Sequence, residues 1–376
     1  MRGHIRKRGN SWAVVVYLGQ DPATGRARRK WYTYPTRGEA QAQLSHILTQ
    51  LHGGGALPST KLRTGEYLEK WLHDYAGGAV APTTFARYQE IVSLHLTSAL
   101  GFIPLQKLSP QAIQGYFTAK LASGLSSTTV RHHATLLHGA LRHAVKWGLL
   151  ARNPADMVDP PRRCRSEIRV LDEEQVRLFL AEARRSSVHY RLYLAALTTG
   201  MRQGELLGLR WRDVDLSLGV ASVQQTFYRL GKRMLFKEPK TATARRTVAL
   251  LSVLVQELLS LRGEQRVRHG ALGDAYKDRD LVFCQPDGRP LHANNIARRD
   301  LRRVLKKAKL PTIRFHDLRH CHATLLLRQG IHPKVVQERL GHSSPAFTLH
   351  VYSHVLPGMQ EEVVRRLDQA LREKPE

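Results

Sequence analysis

The apolar positions of this chain change their spacing along its length, and each change predicts a different kind of element. Residues 4–34 alternate: SWAVVVYLG is rich in β-branched and aromatic residues, DPATGR supplies a hairpin connection, and RRKWYTY reads as a partner strand. EAQAQLSHILTQL then has helical spacing, and HGGGALPST reads as a flexible linker. From about Lys61 to about Asp159 the period is helical throughout. TGEYLEKWLHDY, TTFARYQEIVSLHL, SPQAIQGYFTAKLA and SSTTVRHHATLLHGALRHAVKWG predict successive helices with Ser and Thr at their N-caps. PADMVDPPRRCRSEIRV, rich in Pro and Arg, marks a boundary. LDEEQVRLFLAEA opens the next helix with Asp172 as cap and acidic residues in its first turn. ASVQQTFYR, MLFKE and RTVALL predict three short strands of one small sheet. At the end, Val363, Val364, Leu367, Ala370 and Leu371 fall at helical spacing on an otherwise charged tail. The expected fold class is multidomain, mainly α with small β-sheets: a β unit plus helix (1–57), a helical block (61–159), and a mostly α block with a small antiparallel sheet and a tail helix (166–376).

Charge narrows the partner. The 376 residues include 59 Lys and Arg against 31 Asp and Glu, a net charge of +28 spread along the whole length. Nucleic acid is the polyanion that rewards such an excess, because each phosphate contact releases condensed counterions; ribosomal-type and membrane-surface proteins share the composition. The predicted helix at SSTTVRHHATLLHGALRHAVKWG carries Arg131, His132, His133, His138, Arg142, His143 and Lys146 around its polar faces. That is either a surface for a DNA groove or a solvated face. MRGHIRKRG has no apolar h-region, and no uncharged apolar stretch approaches the roughly 18 residues of a membrane span. Three scattered cysteines, Cys164, Cys284 and Cys321, do not form a disulfide framework, so a reducing cytoplasm is expected.

The chemistry lies in a series of cations closed by a tyrosine: Arg202 in TTGMRQGEL, Lys240 in EPKTATARRTV, His316 and Arg319 in FHDLRH, His342 in LGHSS, and Tyr352 in LHVYSH. Arginines, histidines and a lysine hold a phosphodiester and neutralise charge developing on it; a phenol can attack it and retain it as an ester. Gly200 suits a turn with positive φ that aims Arg202 outward, and Glu205 is placed to pair with it. Lys240 follows Pro239 between strand-like segments, at a turn or hairpin tip from which an ammonium can reach a leaving-group oxygen; Lys237 is its nearest competitor. His316 and Arg319, at i and i+3, share a face near a helix start, where an anion is favoured. His316, His320, Cys321 and His322 also raise the possibility of zinc, but HDLRH lacks the Glu of HExxH and sets an arginine among the candidate ligands, so no metal or other cofactor is expected. Gly341 reads as the residue after a helix C-terminus, with His342 between that end and a next helix beginning at Ser344. Tyr352 lies on this last helix, flanked by His350 and His354.

In order and spacing the set resembles the active site of the tyrosine recombinases, in the branch of phage and conjugative-element integrases. The resemblance is close over the C-terminal half. The β unit is similar to the three-stranded arm-binding domains at the front of many integrases, and the helical block to their core-binding domain. It implies site-specific cleavage and rejoining of double-stranded DNA for integration and excision of a mobile element. Tyr352 would form a 3′-phosphotyrosyl ester, Arg202 and Arg319 would clamp the non-bridging oxygens, His316 and His342 would add hydrogen bonds and move protons, and Lys240 would protonate the 5′-oxygen. It further implies a homotetramer on core- and arm-type attachment sites, DNA-bending accessory proteins, and a cytoplasmic, nucleoid-associated enzyme. A type IB topoisomerase would use similar chemistry without partner exchange. A non-catalytic DNA-binding protein of the same fold would lack one of the site residues, and none is missing.

Overall fold

A computed structural model describes residues 3–9, 11–20, 27–52, 61–163, 169–231, 233–238 and 245–341, together with Ser344, Val364, Asp368 and Leu371. The chain packs as two compact units, Met1–Arg165 and Ser166–Glu376.

The first unit opens with β1 (Gly3–Arg8), β2 (Ser11–Gln20) and β3 (Ala27–Tyr34), an antiparallel sheet in that order, with His4 opposite Val15 and Val14 opposite Tyr32. Val14 and Val16 pack on Ala40 and Leu44 of α1 (Arg37–His52). Ala13 and Val15, on the opposite face, are buried too, so the middle strand is apolar on both sides.

The helical block has the expected helices, but the Ser and Thr caps hold only for the last two. The first starts after Arg63 and the second after Ala81, with Pro82 as its first residue. α2 (Thr64–Trp71) runs on through a widened turn at Leu72–Ala76, and α3 (Pro82–Ile91) does the same at Val92–Leu96. α4 (Pro110–Ala122) and α5 (Ser127–Lys146) are capped by Ser109 and Ser126, whose hydroxyls accept from Ala112 N and Thr129 N, each at 3.2 Å. The core of this block includes Tyr67, Leu68, Leu96, Ile113, Leu137 and Leu141.

The cationic side chains of α5 do not form one solvated face. His133 is 1 % exposed, meets the Tyr116 hydroxyl at 2.8 Å and stacks on His95. Arg131 donates to Pro161 O, His138 meets Asp156, and His143 accepts from Trp71 Nε1. His132, Arg142 and Lys146 remain exposed. The reason is periodicity: position 133 falls on the apolar stripe Val130–Leu137–Ala140–Ala144.

In the second unit α6 (Glu173–Ser186) begins at Asp172, whose carboxylate accepts Gln175 N at 2.8 Å while the Gln175 side chain accepts Asp172 N at 3.2 Å. α7 (Tyr190–Thr199) is largely buried, and a turn leads to α8 (Gln203–Gly208). Among the described residues five strands follow instead of three: β4 (Val214–Asp215), β5 (Val220–Val223), β6 (Thr226–Leu230), β7 (Arg233–Lys237) and β8 (Arg246–Ala249). They make two antiparallel sheets, β4-β5-β8 and the β6-β7 hairpin. ASVQQTFYR is broken between β5 and β6 at Gln224 and Gln225, where the Gln225 amide turns to donate to Gly208 O at 2.8 Å.

α9 (Ser252–Leu272), α10 (Leu301–Lys307), α11 (Phe315–Arg328) and α12 (Pro333–Leu340) complete the unit. Phe179, Tyr193, Leu206, Val248, Val304 and Leu318 are among its core residues, and α11 packs along α7. Val364, Asp368 and Leu371 are helical, with Val364 and Leu371 exposed; the other residues of the predicted tail stripe lie outside the described residues. Among the described residues no helix is long and apolar enough to cross a membrane.

Candidate active site

The turn between α7 and α8 is built on Gly200, whose φ is +65°. A Cβ there would stand 2.5 Å from His322 Cδ2 and 2.7 Å from Leu340 Cδ2, so both the conformation and the space call for glycine. The turn delivers Arg202 to the position just before α8. Glu205, one turn on, accepts the Arg202 backbone N–H at 2.9 Å and its Nη1 at 2.7 Å. Glu205 is 4 % exposed while the Arg202 side chain is 40 % exposed, so the carboxylate is sunk beneath a guanidinium that faces outward.

A second arginine, which the sequence reading did not single out, completes this group. Arg246, the first residue of β8, donates Nη2 to Glu205 Oε2 at 2.8 Å and Nη1 to Oε1 at 3.3 Å. Burial opposes ionisation of Glu205, but the hydrogen bond and charge of Arg246, and then those of Arg202, hold its carboxyl below the usual range.

α11 brings the next pair. Asp317, in its first turn, accepts the Arg314 N–H at 2.7 Å and closes the start of the helix. Arg319 is 2 % exposed and donates Nη1 to Gly200 O and Nη2 to Leu340 O, each at 2.7 Å. His316 keeps an open edge to solvent. The protein packed around it depresses its pKa, first by desolvation, then through Arg319, with Arg202 adding to the effect and Asp317 opposing it. The direction of the shift favours the neutral imidazole.

α12 ends at Gly341, with φ +67°, and its last carbonyls meet an arginine each. Arg246 Nε donates to Arg339 O at 2.7 Å, Arg319 to Leu340 O at 2.7 Å, and Arg202 Nη2 reaches Gly341 O at 3.4 Å. The negative end of the helix dipole is thus gathered by three guanidiniums drawn from separate stretches of chain. The next residue is His342.

Of the six predicted site residues, Arg202, His316 and Arg319 are described, and they come together here. Lys240, His342 and Tyr352 lie outside the described residues. The flanking strands are described: β7 pairs with β6, and β8 pairs with β5. Lys237, the competing lysine, is the last residue of β7 and is exposed.

His322, Cys321 and His320 of FHDLRHCH contact the protein around them. Arg339 Nε donates to His322 Nε2 at 3.1 Å and His322 Nδ1 meets Leu197 O at 2.8 Å, which fixes the neutral tautomer with its proton on Nδ1. Burial and then Arg339 lower the His322 pKa to about 3. Cys321 Sγ accepts Leu171 N–H at 3.1 Å, and burial pushes this thiol up to about 12. His320 meets the His316 ring edge-on and is lowered to about 4, by burial first. Among the described residues no group of His, Cys, Asp and Glu is arranged to hold a metal ion.

Comparison with known proteins adds a separate line of evidence. A family model described as the phage integrase family matches residues 169–358, and one described as the phage integrase N-terminal SAM-like domain matches residues 65–121. The chain is 28 % identical to a tyrosine recombinase XerC-like protein of Caldanaerobacter subterraneus subsp. tengcongensis, over 97 % of each chain. It is 27 % identical to the ICEBs1 integrase of Bacillus subtilis, over 96 % of this chain and 97 % of that one. Among solved structures, the Tn1549 transposon integrase in complex with a circular intermediate DNA superposes with a TM-score of 0.70 at 22 % identity, covering 81 % of this chain and 99 % of that one.

Proposed function

The chain belongs to the phage integrase family and is a tyrosine-type site-specific DNA recombinase, and we propose that its reaction runs through Tyr352 in the cationic site centred on Arg202, His316 and Arg319. The type IB topoisomerase and non-catalytic readings are not favoured, because the relatives that match along nearly the whole chain are a recombinase and an integrase.

In the proposed reaction the Tyr352 Oη–P bond forms as the P–O5′ bond breaks. A phenol has a pKa near 10, so it attacks at neutral pH only where its proton is taken and the charge on phosphorus is balanced. Neutral His316 accepts the proton. Arg202 and Arg319 stabilise the negative charge on the non-bridging oxygens, with His342 as a further donor. Lys240 gives a proton to the departing 5′-oxygen. The phosphotyrosyl ester retains the energy of the phosphodiester, and attack by a 5′-hydroxyl from a partner strand reverses the steps and seals the new junction.

One observation carries this reading. Arginines far apart in sequence converge on the carbonyls of Arg339, Leu340 and Gly341, the step before His342, and two of them, Arg319 and Arg202, also act on His316. Exchange between two duplexes involves four strands, each cut once by one tyrosine, so the working unit is a homotetramer. The β unit and helical block hold arm- and core-type DNA, with accessory proteins bending the path between them, in the cytoplasm where the nucleoid lies.

The direct test is Tyr352→Phe. It removes one hydroxyl from a strongly cationic surface, so half-site affinity is expected to stay within about twofold while covalent adducts on a nicked suicide substrate disappear. Adducts formed by the Phe variant would sink the assignment of the nucleophile.

A further inference from the structure

Arg246 stands apart from the residues assigned above. Its side chain is 6 % exposed, and it shares one carboxylate, Glu205, with Arg202. A lone Arg202–Glu205 pair would sum to zero charge, with the guanidinium drawn down onto its buried partner. With Arg246 on the other side of the carboxylate the trio carries a net positive charge, and the exposed member is Arg202. Arg246 also fixes Arg339 O on α12, three residues before His342, and begins the strand that follows the Lys240 segment.

We propose that Arg246 is a positioning residue that balances the charge of Glu205, so that the guanidinium of Arg202 remains available to the scissile phosphate. The proposal rests on the reading of Arg202 as a phosphate ligand given above. It separates two functions that look alike on a cationic surface: one arginine touches the phosphate, and the other keeps the first from being spent on an internal carboxylate.

The experiment is single-turnover cleavage by the full-length protein of two nicked half-site substrates. One has an ordinary scissile phosphate; the other has a methylphosphonate, in which a methyl group replaces a non-bridging oxygen and the scissile group is uncharged. Arg246→Met is expected to slow the phosphate substrate on the order of 10²-fold, the size of a lost charge-stabilising group, and the methylphosphonate by less than about fivefold. Arg202→Ala should show the same relief. If Arg202→Ala is relieved and Arg246→Met is equally slow on both substrates, Arg246 is only a structural strut and the proposal is overturned. If Arg202→Ala is not relieved, Arg202 is not a phosphate ligand, and both that reading and this proposal fall.

Arg246→Met leaves a buried carboxylate short of a partner and can fail to fold, so a charge-balanced double variant, Arg246→Met with Glu205→Gln, is measured beside it. Charge balance predicts that the double variant cleaves the phosphate substrate within roughly tenfold of wild type, a non-additive rescue. A double variant as slow as Arg202→Ala would overturn the proposal.

Discussion

Replacing Gly200 with alanine probes the turn that aims Arg202 and anchors Arg319. An L-residue held at φ +65° costs roughly 1–2 kcal/mol. The added methyl would also lie 2.5 Å from His322 Cδ2 and 2.7 Å from Leu340 Cδ2, where both neighbours are buried. Forcing extra volume into a packed core costs about 1–3 kcal/mol more. The sum is roughly 2–5 kcal/mol, or a melting point lower by about 2–4 °C for each kcal/mol in a unit of this size. Gly219 supplies the control: its φ is +63°, but a Cβ there would meet nothing closer than 3.9 Å. Gly219→Ala should therefore lose only the conformational part, about 1–2 kcal/mol.

Thermal unfolding of the two variants side by side isolates the steric share. The activity assay should diverge further, because Gly200 O is a ligand of Arg319 and Arg202 is two residues on. A misplacement of about 1 Å costs cleavage on the order of 10²-fold, whereas Gly219→Ala should cleave like wild type. Equal melting points for the two variants, or full cleavage by Gly200→Ala, would refute the claim that this turn is tightly packed and sets the site.

Three further outcomes are expected. Lys240→Ala should slow cleavage by about 10²–10⁴-fold, and a substrate with sulfur in place of the bridging 5′-oxygen, which needs no proton on departure, should recover most of the loss; equal defects on both substrates would leave Lys240 as a phosphate contact. Deleting residues up to Leu57 should spare cleavage at the crossover site but weaken assembly on a complete attachment site, since a second tethered DNA contact acts at high effective concentration; full activity on complete sites would make the β unit an appendage. Finally, His133 and His322 are buried with pKa values lowered to about 4 and about 3, so the folded state binds fewer protons than the unfolded state below pH 6.5. Stability should be level above about pH 6.5 and fall by about 1.4 kcal/mol per pH unit for each histidine on the way to pH 5, which urea unfolding at a series of pH values would detect; a flat profile through that window would contradict their burial as neutral groups.

Elements governed by local rules were legible in the sequence. A glycine after a helical run predicts the left-handed turns at Gly200 and Gly341, and an acidic cap before a helix-forming stretch predicts the start at Asp172. The i, i+3 spacing of His316 and Arg319 placed them near one another at the start of α11, but not their different exposure, which depends on Gly200 and Leu340 arriving above Arg319. His133 was readable in principle from its place on the stripe Val130–Leu137–Ala144, yet its residue type pointed to the surface. Arg246 carried no such mark. In a chain with 59 Lys and Arg, an arginine on a short strand is ordinary until folding brings it to Glu205, 41 residues earlier. The break in ASVQQTFYR was hidden for the same reason: Gln225 leaves the strand to satisfy the carbonyl of Gly208, a partner that only the folded chain supplies.

The central claim is that Tyr352 makes the covalent bond to DNA. The most direct measurement is mass spectrometry of the adduct trapped on a nicked half-site carrying the element's own end junction, digested to peptides and to the attached nucleotide. The account predicts one modified peptide, containing LHVYSH, with a 3′-phosphate on the oxygen of Tyr352 and a free 5′-hydroxyl on the released strand. A phosphate attached to any other residue, or a bond to the 5′ end of the DNA, would contradict it.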